Sequence, residues 1–179
     1  MRIISGIYRG KAIHPPKFFH DRPTTDFAKE SLFTIILGNF LKEFENMKIL
    51  DLFAGTGSIS YEFASRGCKN ITATDNNFRY TGFIKKTAAE LDFSQISVVH
   101  ADAFRFLKTV KTKYDIIFAD PPFGLTDSET IPEIIHDRCL LENNGWLIIE
   151  HSEKTDLSQL TGFTEKRRYG NVNFSFFSY

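Results

Sequence analysis

The chain has 179 residues, 42% of them hydrophobic, which suits one α/β domain that buries about two-thirds of its unfolded surface. Its 22 basic and 22 acidic residues cancel, which excludes an overall field that would advertise a polyanionic partner. Cys68 and Cys139 lack metal-ligand spacing and read as reduced thiols, and no apolar run is long enough for a signal peptide or a membrane span, so the chain reads as cytoplasmic.

The charge is distributed less evenly than its sum. Through residue 22 there are five basic side chains (Arg2, Arg9, Lys11, Lys17, Arg22) against Asp21 alone. Residues 1–16 read as two short strands around Gly6 and Gly10, giving an amino-terminal basic β-hairpin extension over 1–20 ahead of a single domain over 21–179. Arg2, Tyr8, Arg9 and Lys11 on such a hairpin suit a nucleic-acid backbone. An edge hairpin kept soluble by its charges has the same composition. Next, Thr25 or Asp26 is placed to cap a helix whose apolar face uses Ala28, Leu32, Ile35 and Ile36 and which ends at Gly38-Asn39.

The central stretch is Lys48-Ile49-Leu50-Asp51-Leu52-Phe53-Ala54-Gly55-Thr56-Gly57-Ser58. A short apolar run breaks at two glycines and passes into a helical period at Ile59, Phe63 and Ala64, which is strand, tight turn, helix. A P-loop needs Lys after its glycines, and none follows Gly57. A dinucleotide fingerprint wants a third Gly or Ala where this chain has Ser60. The third reading is a resemblance: the arrangement is similar to the S-adenosyl-L-methionine loop of class I methyltransferases, with Asp51, Phe53, Ala54, Gly55, Thr56 and Gly57 around the cofactor.

A second strand, 70–74, ends at Asp75 and Asn76, where doubly wound sheets place the acid that accepts from ribose hydroxyls. A helix follows over 78–91, and a third strand over 96–100 leads to Asp102 and Ala103, an acid that is also an ordinary helix cap. The run from Tyr114 to Ala119 then ends in Asp120-Pro121-Pro122-Phe123. Two prolines stiffen that loop and leave its carbonyls without regular partners. A carboxylate and a freed carbonyl grip an exocyclic amine, while Phe123 offers a flat face to a base. The remainder reads as a helix over 128–138, a strand over 145–150, and a hairpin of 164–169 and 172–178 turning through Gly170-Asn171. His100, His136 and His151 lack a nucleophile partner or metal spacing, and no metal is expected.

The Asp120 loop resembles the Asp/Asn-Pro-Pro-Phe/Tyr signature of methyltransferases acting on amino nitrogens. Arg22-Pro23-Thr24-Thr25-Asp26 followed by Glu30-Ser31-Leu32-Phe33, after Met1-Arg2-Ile3-Ile4 and Tyr8-Arg9-Gly10, resembles the bacterial RsmD family over nearly the whole chain. These are small-subunit (16S) ribosomal RNA guanine-N2 methyltransferases. The resemblance implies a class I, Rossmann-like seven-stranded α/β sheet with an antiparallel last strand. It also implies a monomer that acts on ribosomal RNA within a small-subunit assembly intermediate. By the same resemblance Asp120, Pro121, Pro122 and Phe123 are catalytic. Asp120 adjoins the cofactor as well, and Asp102 with the Ala103 backbone meets the adenine. Arg22, Thr24, Thr25 and Phe123 join Arg2, Tyr8, Arg9 and Lys11 at the substrate. Phe27 departs from the family, which has a basic residue there. Rival readings are methylation of DNA adenine N6 or protein glutamine N5, and a non-catalytic RNA-binding assembly factor of the same fold.

Overall fold

The computed structural model describes residues 1–19, 24–40, 43–122 and 129–179. Seven strands among them make one sheet: β1 (Lys48–Leu52), β2 (Asn70–Asp75), β3 (Ile96–His100), β4 (Tyr114–Ala119), β5 (Leu141–His151), β6 (Phe163–Tyr169) and β7 (Val172–Phe177). Their order is β3-β2-β1-β4-β5-β7-β6. The first five are parallel, and β7 enters antiparallel between β5 and β6. Strands such as Ile116-Ile117-Phe118-Ala119, apolar at every position, are stable only when both faces are covered, and helices cover them.

One apolar layer gathers α1 (Asp26–Asn39), α2 (Ser58–Ser65) and α3 (Phe78–Glu90) against Ile49, Ile71, Ile116, Phe118 and Ile148. The other gathers α4 (Ala103–Thr109) and α5 (Thr130–Asp137) against Leu50, Leu52, Ile117, Ala119 and Ile149. Alternation along each strand therefore decides which layer a side chain enters. The cap of α1 is Thr25, whose hydroxyl accepts from the Ala28 amide, and Ala28, Leu32, Ile35 and Ile36 are buried as the spacing predicts.

Two expectations need correcting. The final parallel strand begins at Leu141, four residues before Gly145. Asn143-Asn144-Gly145 lies within the strand as a bulge, with Asn144 at φ 62° and the register shifting between Tyr114 and Ile116. The amino-terminal hairpin reduces to one antiparallel bridge, Arg2 with Ala12, and no regular strand. Its side chains Ile3 and Ile13 enter the α1–α3 layer, so the segment packs as part of the main core.

The segment lies along α2 because α2 is built to receive it. Glu62, fully buried, accepts from the Ile4 and Ser5 amides at 2.8 and 3.0 Å and from Arg66 Nε at 2.8 Å. Lys29, 1% exposed, stands 3.7 Å from Glu62 and donates to the Arg2 carbonyl at 2.6 Å and to Ser58 Oγ at 3.1 Å. Burial lowers the Lys29 pKa, and the Glu62 charge opposes that shift. Farther along, the Ile7 amide donates to the Ser65 carbonyl and the Tyr8 amide to Ser65 Oγ. Gly6 makes the close approach possible: at φ 84°, a Cβ on it would lie 1.8 Å from the Ser65 carbonyl oxygen.

Among the described residues no helix is long and apolar enough to cross a membrane. Removing one partner of a buried ion pair strands the other, so Glu62→Ala is expected to cost about 3–5 kcal/mol in urea denaturation. It should also free the first dozen or so residues for limited proteolysis, whereas Glu142→Ala, on the exposed Lys48 pair, should cost under about 1 kcal/mol.

Candidate active site at the carboxyl edge of the sheet

The strand order reverses between β1 and β4: the chain adds β2 and β3 on one side of β1, then crosses to place β4 on the other. In open α/β sheets the loops at such a switch point diverge, and the crevice between them is the usual ligand position. Both of the singled-out loops leave the sheet at this point.

The glycine loop is tied down from several sides. The Ala54 amide donates to the Thr74 carbonyl at 2.8 Å, the Gly57 amide to the Ala54 carbonyl at 2.7 Å, and the Gly55 amide to Asp75 Oδ2 at 2.9 Å. Gly57 has φ 78°, and a Cβ on it would stand 2.8 Å from the Tyr61 ring, so glycine is required twice over. Gly55, at φ 52°, differs: a Cβ on it would meet nothing nearer than the Phe53 carbonyl oxygen at 3.9 Å. Its backbone faces open space, as a cradle for a ligand requires. Phe53 itself has φ 62° and packs edge-on against Phe104. Thr56 is buried, with its hydroxyl 3.2 Å from Met1 Sδ.

Asp51 does not stand in the open crevice. It is 2% exposed, and Oδ2 accepts from the Ser60 amide at 3.1 Å and the Ser60 hydroxyl at 2.6 Å. It therefore fixes the start of α2 beneath the glycine loop. Burial, opposed by the Ser60 hydrogen bonds, pushes its carboxyl up to about 7. Asp75 works similarly from β2, with Oδ1 accepting from the Asn77 amide at 2.8 Å. The Asn76 carbonyl contacts His100 Nε2 at 2.9 Å. Asp102 caps α4 by accepting from the Arg105 amide, and Ala103 is buried behind it.

Across the crevice, the Asp120 amide points to the Leu52 carbonyl at 3.4 Å, which sets the acid beside the end of β1. Asp120 is half-buried, Pro121 buried and Pro122 exposed. Phe123 and Arg22, both expected at the substrate, lie outside the described residues. Thr24 donates to Glu150 Oε2 at 2.7 Å inside the protein, and Thr25 caps α1. Arg2, 60% exposed, pairs with Asp26 at 3.0 Å. Tyr8, Arg9 and Lys11 fall elsewhere. Tyr8 sits at the far end of α2 against Phe93, about 12 Å along the helix from Gly57, and Arg9 and Lys11 are exposed there.

Sequence reading missed Glu150. It is 4% exposed at the carboxyl end of β5, and burial, opposed by the Thr24 hydroxyl, pushes it up to about 7. The signal was present: Leu147-Ile148-Ile149-Glu150 is an apolar run ending in an acid, the pattern that singled out Asp75 and Asp120.

Sheet order, the reversed last strand and the glycine crevice together define a class I methyltransferase fold. The chain belongs to the family described as Conserved hypothetical protein 95, whose model matches residues 1–178. It is 35% identical over 152 residues to an Escherichia coli K12 protein named Ribosomal RNA small subunit methyltransferase D, covering 84% of this chain and 71% of that one. The solved structure of a hypothetical protein from Thermus thermophilus superposes with TM-score 0.85 at 22% identity, over 100% of this chain and 99% of that one. Another from the same organism, titled a 16S rRNA N2 methyltransferase (RsmC) in complex with AdoMet and guanosine, gives TM-score 0.69 at 18% identity, over 89% of this chain and 44% of that one.

Because Asp51 ionises near 3.8 when unfolded and near 7 when folded, the folded state alone holds this proton between those values. The Asp51 contribution to stability is therefore greatest below about pH 4 and falls as pH rises to about 7. In urea titrations at pH 5 and pH 8, Asp51→Asn should lose this part of the pH dependence and gain relative to wild type at the higher pH.

Proposed function

We propose that this protein transfers a methyl group from S-adenosyl-L-methionine to the exocyclic N2 amine of a guanine in small-subunit ribosomal RNA. The observation that carries this reading is the meeting of an open glycine cradle at the end of β1 with an acid and two prolines at the end of the adjacent β4. The cradle fits the cofactor: Gly55 leaves room, and Asp75 offers acceptors at the next strand end. When bound there, S-adenosyl-L-methionine supplies an electrophilic methyl group. The name of the E. coli relative supports the RNA, and the guanosine in the RsmC complex supports the base.

In-line displacement depends on how the two reacting atoms are placed. The amine of guanine is a poor nucleophile because its lone pair is delocalised into the ring. The Asp120 carboxylate and the Pro121 carbonyl accept its two hydrogens, which orients the nitrogen and favours a more tetrahedral geometry. Positive charge then grows on that nitrogen, and Asp120 stabilises it and receives the proton. Phe123 stacks on the flipped base and offsets part of the cost of leaving the RNA stack. Arg9 and Lys11, exposed and remote from the crevice, hold phosphates of the surrounding RNA and not the target nucleotide. The enzyme works as a single chain in the cytoplasm, on an assembling small subunit.

Asp120→Ala should fold and bind cofactor in calorimetry, yet lose methyl transfer by roughly two to three orders of magnitude. Asp120→Asn keeps an acceptor without the charge and should fall between the two. Nucleoside mass spectrometry of RNA from cells with and without the enzyme should differ in N2-methylguanosine. Full activity of Asp120→Ala refutes the mechanism, and loss of a methylated adenine instead refutes the substrate.

Arg9→Glu with Lys11→Glu, which leaves the buried Ile3 and Ile13 intact, should weaken RNA binding and lower its salt slope by about 2. Cofactor affinity should stay at the wild-type value. An unchanged slope would leave these residues as surface charges only.

A further inference from the structure

Among the described residues, Glu150 is the one buried carboxyl at this edge with no role in the reading above. The register of β4 and β5 pairs Ala119 with Ile149; Asp120 directly follows β4 and Glu150 is the next residue of β5, so continuing that register sets them level, about 4.8 Å apart along the hydrogen-bonding direction. Two residues earlier, Phe118 and Ile148 both enter the α1–α3 layer. By alternation Asp120 and Glu150 face the same side, toward the entry of α1. Thr24 bears this out for Glu150, since it reaches the carboxyl from just ahead of α1.

An ionised carboxylate accommodates about four donors. Among the described residues, the side chain of Glu150 accepts from the Thr24 hydroxyl alone, through Oε2. Asp51, by contrast, accepts twice from Ser60, and Asp75 accepts from at least the Gly55 and Asn77 amides. Burial raises Glu150 to about 7 because one neutral donor does not offset its desolvation. A further donor arriving with a ligand would stabilise the charged form.

Resting on the guanine-N2 reading, we propose that Glu150 is the residue that selects guanine, accepting from ring N1–H while Asp120 and Pro121 hold the neighbouring N2 amine. Guanine presents N1–H and N2–H₂ as adjacent donors, which match two level carboxyls. Adenine presents an acceptor at N1 beside its amine, and a carboxylate there repels it. Thr24 acts through Glu150 as a positioning residue: its hydroxyl occupies Oε2 and leaves Oε1 for the base. The specificity would thus reside on β5, outside the amine-gripping loop.

Glu150→Gln tests this, because the amide keeps an acceptor for Thr24 and offers either an acceptor or a donor to the base. Guanosine monophosphate and 2-aminopurine riboside monophosphate, which has the same amine but an acceptor at N1, are compared as competitors of methyl transfer to undermethylated small subunits. The wild type should prefer the guanine nucleotide, and Glu150→Gln should narrow that preference by roughly tenfold or more. Both nucleotides meet the same pocket in each protein, so the missing O6 cancels from the comparison. No preference in the wild type, or one that Glu150→Gln leaves unchanged, overturns the assignment and reduces Glu150 to an anchor for Thr24. A wild-type enzyme that leaves no N2-methylguanosine in the subunits overturns the underlying reading instead.

Discussion

The constraint on which this molecule depends is that five parallel strands must end at one edge, while their order reverses between β1 and β4. Parallel strands need a crossover between them, and right-handed crossovers put successive helices on one face until the order turns. Here α2 and α3 cover one face and α4 and α5 the other. At the turning point no crossover spans the gap, so the loops after β1 and β4 separate. The backbone groups and acids that end those strands face the crevice from its two sides. The glycine cradle and the Asp-Pro-Pro loop, more than sixty residues apart in the chain, meet for that reason.

Within this frame the acids divide their work by burial. Asp51 accepts from the Ser60 amide in α2 and Asp75 from the Gly55 and Asn77 amides, and so they hold the glycine cradle in shape before any ligand arrives. A preformed cradle loses less conformational entropy on binding. Asp120 and Glu150 stand on the far side of the crevice and close the base pocket under the reading proposed above. Their strands are covered at the same end by the segment entering α1, through Thr24.

The amino-terminal segment is held by a group that is costly to bury, the charges of Lys29, Glu62 and Arg66. Such pairs add little net stability over apolar packing, because desolvation offsets their attraction. They do fix where the segment lies, since only one alignment supplies the Ile4 and Ser5 amides to Glu62 and the Arg2 carbonyl to Lys29. Ser58 shares Lys29 with that segment, so the start of α2 and the amino terminus rest on one buried amine. Phe27 is 65% exposed and meets Tyr169 edge-on, which leaves an aromatic surface at the start of α1.

The sequence by itself determined the local elements and the chemistry at their ends. Apolar runs of strand length marked β1 to β4, Gly55 and Gly57 marked a turn that needs positive φ, and Asp75, Asp102 and Asp120 marked strand ends. These are local signals, because periodicity, glycine and proline act within a few residues. Only tertiary structure decided which residues face the crevice. It sank Asp51 beneath the loop, carried Tyr8, Arg9 and Lys11 to the far end of α2, and turned Thr24 inward to Glu150. Sequence spacing carries no record of those distances. They follow from pairing across 126 residues in the case of Thr24 and Glu150, and from a buried ion pair that dictates where a charged ribbon must dock.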